Sequence, residues 1–174
     1  MIRPILQLGN ETLRKISVPV ADFRCKDLKS LIADLSDTLG DAKQRFGYGR
    51  GIAAPQISQL KRVIYVDSPR FKASLINPEI TWASTGTFEV WDSCFSFNVE
   101  FFVLVDRHSS IRVEYFDQRG RGHQVEVMGA LSELLQHEID HLDGVLAIDR
   151  MKDTKGVIMR SEWKKRVEAS RNRL

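Results

Sequence analysis

One stretch constrains this chain more than any other: Gln136-His137-Glu138-Ile139-Asp140-His141-Leu142-Asp143-Gly144. Two histidines four apart lie one turn apart on a single helix face, near enough to share a metal ion. Glu138 follows the first histidine and can act as base toward a water on that metal. Leu131, Leu134, Leu135 and Leu142 recur with helical spacing, and Gly144 suits the position just past a helix end. On a helical wheel the leucine stripe runs beside the histidine face. Ser132, Gln136, Asp140 and Asp143 lie opposite. Such a helix buries most of its sides and keeps its chemistry at one edge of the core. H-E-x-x-H strings also arise by chance among ordinary histidines, so the rest of the chain decides.

A helix of this kind needs a core around it. A chain of 174 residues, 43% hydrophobic and 28% charged, is large enough to supply one. We read residues 1–174 as a single domain with a basic tail from about 151. No apolar run approaches the roughly 20 residues that span a bilayer, and Arg3 and Pro4 interrupt any signal-peptide pattern. The two cysteines, Cys25 and Cys94, form no disulfide framework, so the expected compartment is the cytoplasm. Cys25 reads as an ordinary packed or surface thiol. A net charge of +3 argues for neither a DNA partner nor a membrane surface. The charge is uneven, however: from Arg150 onward nine Lys or Arg face three Asp or Glu.

Residues 1–20 read as an extended arm, because Pro4 and Pro19 exclude a long helix. Asp27 is placed to cap a helix over 28–46, striped by Leu28, Leu31, Ile32, Leu35 and Leu39. A glycine-rich turn, Gly47-Tyr48-Gly49-Arg50-Gly51, leads into Ile52-Ala53-Ala54-Pro55-Gln56. It lacks the spacing of a nucleotide loop and the lysine of a P-loop, so it reads as a place where a peptide-like backbone comes close. Strands are expected at 62–66, 75–80, 87–91, 101–105, 111–116 and 124–128. Pro78 makes the second of these an edge or a bulged strand. Strands between one early helix and one late helix imply an α+β fold, with mixed or antiparallel strands around the metal-binding helix.

A catalytic metal takes three protein ligands and leaves one position open. A third histidine at position 147 is absent, since Ala147 stands there. Glu162 lies at a distance that some zinc hydrolases use, but within a basic, surface-like segment. Cys94, at a strand end among small residues, is the other candidate. At this point three stretches meet. Gly49-Arg50-Gly51-Ile52-Ala53-Ala54-Pro55-Gln56, Asp92-Ser93-Cys94-Phe95-Ser96 and Gln136 to Gly144 resemble, in that order, the three signature motifs of the peptide deformylase family. Leu13-Arg14, Pro19-Val20, Leu75 to Ile80 and Gly144 to Arg150 extend the likeness over residues 1 to about 151.

The resemblance implies one divalent metal held by Cys94, His137 and His141: iron(II) in the cell, zinc or nickel as prepared. Thiolate and imidazole suit both iron(II) and zinc. It also implies that Glu138 is the base and that the Gln56 side-chain amide and the Phe95 backbone N–H hold the oxyanion. Gly49, Arg50, Gly51 and Ile52 would bind substrate, the glycine backbone pairing with it as an added strand. The implied activity is removal of the formyl group from N-formylmethionyl nascent peptides. Alternatives are a relative of altered specificity or low activity, and a non-enzymatic protein binding formyl peptides or the ribosome. The departures sharpen these alternatives. The middle motif is usually E-G-C-L-S, so Asp92, Ser93 and Phe95 are substitutions. The shorter Asp92 must rebuild any contact to a ligand or to Arg107. Arg50 replaces an apolar residue beside the methionine pocket. The segment Phe97 to Phe102 lacks a proline-glycine pair and a substrate-contacting arginine. In the tail, Val157, Trp163 and Val167 are loosely spaced for one helix face, while Lys155, Arg160, Lys164, Lys165, Arg166, Arg171 and Arg173 supply charge. That charge would suit docking on ribosomal RNA, with a helix packed through Trp163 as the plainer expectation.

Overall fold

A computed structural model describes residues 1–171, the side chains through 167. Arg173, and the side chain of Arg171, lie outside the described parts of the tail. Three helices, α1 (Lys26–Phe46), α2 (Ala130–Leu142) and α3 (Arg160–Arg171), accompany eight strands. The strands are β1 (Gly51–Ala53), β2 (Val63–Ser68), β3 (Phe71–Ala83), β4 (Thr87–Asp92), β5 (Phe101–His108), β6 (Ser110–Phe116), β7 (Gly122–Met128) and β8 (Val157–Met159). They form a five-stranded sheet in the order β1-β2-β3-β6-β7 and a three-stranded sheet in the order β4-β5-β8. Every ladder is antiparallel. The fold is α+β.

Strand alternation explains where the helices sit. On β2, Val63 and Tyr65 join the cluster built on α1 through Leu35 and Leu39, while Ile64 and Val66 join the cluster of α2 with Leu135 and Ile139. Successive side chains leave a strand on opposite faces, so an unbroken apolar run needs a cover on each side. The larger sheet therefore lies between α1 and α2. A third cluster, with Leu13, Val103, Val105 and Leu146, encloses Cys94.

α1 begins at Lys26 with Cys25 at the cap position and no side-chain capping bond, so Asp27 serves in the first turn and not as the cap. There its charge favours the helix N-terminus. β3 is bulged, as Pro78 demands, but it is an interior strand and not an edge. Asn77 adopts φ 50° beside that proline, a conformation Asn tolerates. Its amide accepts from Val20 N–H at 2.8 Å and donates to Val20 C=O at 2.9 Å, pinning the N-terminal arm. Gly144 lies one residue beyond the cap of α2 with φ 72°, where a Cβ would collide with the Arg14 carbonyl. β8 and α3 replace the single loosely patterned tail: Ile158 is buried, Val157 is exposed, and β8 pairs with β5.

Candidate metal centre and active site

α2 is buried along nearly its whole length, including the face expected to be polar. Gln136 is held there by the His108 backbone and Ser132. His137 and His141 meet edge-on with ring centroids 5.0 Å apart. Cys94 arrives from another part of the chain, at the end of β4, where the backbone turns into a short 3-10 turn at Phe95–Phe97. Its Sγ lies 3.2 Å from Nε2 of His141. One ligand atom each from Cys94, His137 and His141 falls within 4.8 Å of the others. Ser96 N–H and the Gln56 amide both point at the sulfur, at 3.4 and 3.3 Å. A thiolate and two imidazoles converging in a buried site form a donor set that suits a single borderline-soft divalent metal. Glu162 is exposed on α3, paired with Lys165, and takes no part.

Asp92 rebuilds the contacts that its shorter side chain puts at stake. Its carboxylate accepts from His137 Nδ1 at 3.0 Å and from Arg107 at 2.8 Å. Arg107 donates in turn to Asp140 at 2.6 Å, and Arg150 closes the far side of Asp140 at 2.6 Å. Burial opposes ionisation of Asp92, but His137 and Arg107 outweigh it and hold the carboxyl well below its usual range. Binding Nδ1 of His137 to a carboxylate leaves Nε2 for a metal and orients the ring. Burial pushes the His141 imidazole well down, with His137 adding to it.

Glu138 is buried, and its Oε2 has no hydrogen-bond partner among the described residues. Burial pushes its carboxyl up to about 7. A buried acceptor without a protein partner beside a cluster of metal ligands is where a reacting water can be held. Gly51 is required at this point: a Cβ there would meet Glu138 Oε1 at 2.6 Å. Gln56 is oriented by Ala53 N–H, which donates to Oε1 at 2.9 Å, so Nε2 faces Cys94 and Ser96. Gly49, at φ 140°, lies against the Phe95 ring, which any Cβ there would strike. β1 ends the larger sheet, and its outer edge carries no strand among the described residues.

These groups line a cavity of about 250 Å³ that includes Gly49, Arg50, Gly51 and Phe95. Ile52 does not line it; its side chain is buried against α1. Arg50 reaches across to the start of α2, donating to Ala130 C=O at 2.9 Å and to Glu133 at 2.6 Å. Glu133 is a pocket residue that carried no motif signal, and Tyr48, Trp91 and Phe102 are others. In the N-terminal arm the likeness lies at Leu13-Arg14 and Pro19-Val20, whereas Leu6 and Leu8 carried no signal. Leu6 N–H donates to Gln56 C=O at 2.8 Å and Leu8 N–H to Ser96 C=O at 2.7 Å, fixing two active-site segments.

The polypeptide deformylase family model matches residues 2–157. Peptide deformylase 2 of Clostridium perfringens is 38% identical over 87% of this chain and 94% of its own. The Thermotoga maritima peptide deformylase crystal structure superposes with a TM-score of 0.80 at 34% identity, covering 88% of this chain and 99% of that one. An Acinetobacter baumannii class I type b peptide deformylase, crystallised with Met-Ala-Ser bound, gives a TM-score of 0.78 at 28% identity, covering 87% and 99%. A match of this extent, joined to a buried Cys94–His137–His141 cluster on the expected scaffold, places the chain in the polypeptide deformylase family.

Proposed function

We propose that this chain removes the formyl group from the N-terminal formylmethionine of newly made polypeptides, working in the cytoplasm as one domain. The observation that carries the reading is the unpartnered Glu138 carboxylate beside the three converging ligand atoms. Cys94, His137 and His141 would hold one divalent metal, iron(II) in the cell, with zinc or nickel able to replace it. When bound, the metal supplies Lewis acidity, lowering the pKa of a water and polarising the formyl carbonyl. Glu138 takes the proton of the attacking water and delivers it to the leaving amine. Gln56 Nε2 and the Phe95 N–H receive the developing oxyanion, each donor worth about 3–4 kcal/mol in comparable sites. The outer edge of β1 and the turn leading into it, from Gly49 to Ile52, receive the substrate backbone as an added strand; the Acinetobacter relative was crystallised with Met-Ala-Ser bound.

Metal analysis combined with turnover of formyl-Met-Ala-Ser tests this. We expect one equivalent of metal, turnover, and a Glu138→Ala variant that keeps its metal while losing about 10²–10⁴ in rate. Metal without turnover of formyl-Met peptides would move the reading to a relative of altered specificity. Neither metal nor turnover would leave a binding protein.

The charge of α3 supports a second proposal, docking on ribosomal RNA near emerging chains. Lys164 and Lys165 are exposed on α3. Arg166 is the poorer probe because its guanidinium lies over Trp91. Co-sedimentation with ribosomes should weaken as salt rises and again in a Lys164→Glu, Lys165→Glu variant. Equal sedimentation of that variant at low salt would remove this role.

A further inference from the structure

Three aromatic side chains, Tyr48, Trp91 and Phe102, stand in the wall of the active-site cavity. They come from the glycine-rich turn, the end of β4 and the start of β5, so no single element holds them together. Each is backed by a different side chain of α3. The Arg160 guanidinium lies 4.8 Å from the Tyr48 ring centroid. Trp163 stacks on Phe102 with centroids 4.5 Å apart and planes 14° from parallel. The Arg166 guanidinium lies 5.8 Å from the Trp91 centroid. Residues three apart project from the same side of a helix, so one side of α3 faces all three rings. The helix is tethered at that place: Arg160 N–H donates to Glu100 C=O at 2.9 Å and its guanidinium to Phe46 C=O at 3.2 Å.

We propose that α3 braces the outer wall of the substrate cavity from behind, with Arg160, Trp163 and Arg166 as positioning residues that fix Tyr48, Phe102 and Trp91 as a platform for the residues following the formylated one. This rests on the deformylase reading. The reacting groups sit on α2 and at the end of β4, so the effect falls on affinity and not on chemistry. A ring already held in place loses less freedom when a peptide settles on it, and that saving appears as tighter binding. The flat, largely apolar faces suit peptide planes and small apolar side chains.

The experiment measures binding of formyl-Met-Ala-Ser to the metal-loaded chain in a Glu138→Gln background, and KM and kcat in the otherwise unchanged chain. Trp163→Ala should raise the dissociation constant and KM about three- to ten-fold, the range of one aromatic pair, with kcat within about two-fold. Trp163→Phe should restore binding to within about two-fold, because stacking survives. Formyl-methionine amide, which has no downstream residues, should change less than about two-fold in every variant. Arg160→Met and Arg166→Met keep the aliphatic contact and lose the cation; each should weaken the tripeptide about two- to five-fold. If Trp163→Ala does not fold, this pair decides. Unchanged tripeptide affinity in these variants, or equal losses for tripeptide and amide, would overturn the proposal. A parent chain that binds no formyl peptide would instead bring down the deformylase reading, and this inference with it.

Discussion

The inner and outer ends of the cavity are built on opposite terms. At the inner end, Asp92, Arg107 and Asp140 are charged and almost wholly enclosed; the Asp92 and Arg107 side chains are 2% and 3% exposed. Charges removed from water must be paired with good geometry, so each of these groups has fixed partners in a continuous line from His137 to Arg150. At the outer end, Arg50 is 41% exposed in its pair with Glu133, and aromatic faces meet cations from α3. The ring faces and the exposed Arg50 cost little to exchange, provided that the buried Glu133 is changed together with Arg50. Arg50 and Phe102 line the outer part of the cavity, whereas Phe97 packs in the cluster around Cys94. Asp92 contacts both His137 and Arg107.

The sharpest way to break the comparison is Cys94→Ser. A neutral hydroxyl replaces a charged sulfur donor, and we expect loss of metal and a fall in turnover of at least about 10³-fold, beyond the roughly 10–100-fold typical of losing a partner one bond further out. Retained metal and near-normal turnover would place the third ligand elsewhere. Next is Arg107→Met, which takes the shared cation away from two buried carboxylates and leaves Asp92 with His137 and Asp140 with Arg150. It should cost about 3–5 kcal/mol in denaturant unfolding and about 10–100-fold in metal affinity. A loss under about 1 kcal/mol would mean that the inner line is not a closed network.

Glu138→Gln sharpens the contrast by pH. In the metal-free chain the Glu138 carboxyl is raised to about 7 from an ordinary 4.5. The folded state therefore holds that proton more tightly than the unfolded state. Its stabilising contribution is complete below about 4.5 and is lost as pH rises through about 7. Glutamine does not titrate, so the variant should gain on the parent by about 2–3 kcal/mol between pH 4 and 8, read from unfolding midpoints of metal-stripped protein. A constant gap would mean that Glu138 is not forced to ionise while buried.

The smallest effect belongs to the outer wall. Arg50→Ile alone strands Glu133, so the informative change is Arg50→Ile with Glu133→Leu, which makes that wall apolar. KM for formyl-Met peptides should fall about two- to five-fold, and the double variant should be more stable than Arg50→Ile alone by about 1 kcal/mol. An unchanged KM would show that the pair does not border the substrate.

The spacing of His137, Glu138 and His141 needed only the helix itself, because residues one turn apart share a face wherever the helix packs. The early leucine stripe, the strand runs and the bulge at Pro78 were legible for the same reason: each is a local pattern set by backbone geometry. Motif order added the family and nominated Cys94. What the sequence could not determine is which faces meet. Cys94 reaches His141 across 47 residues, and Arg107 reaches Asp140 across 33. Glu133 carries no motif signal, and its partner Arg50 lies 83 residues away. In the tail a helix packed through Trp163 was legible, and Trp163 does stack on Phe102, but the three-residue strand before it left almost no periodic signal. The tail's role at the cavity depends on Phe102, Tyr48 and Trp91, which only packing brings beside it. Periodicity tells a residue which side of its element it occupies; the partner across that side is chosen by the tertiary fold, where burial and charge pairing are settled together.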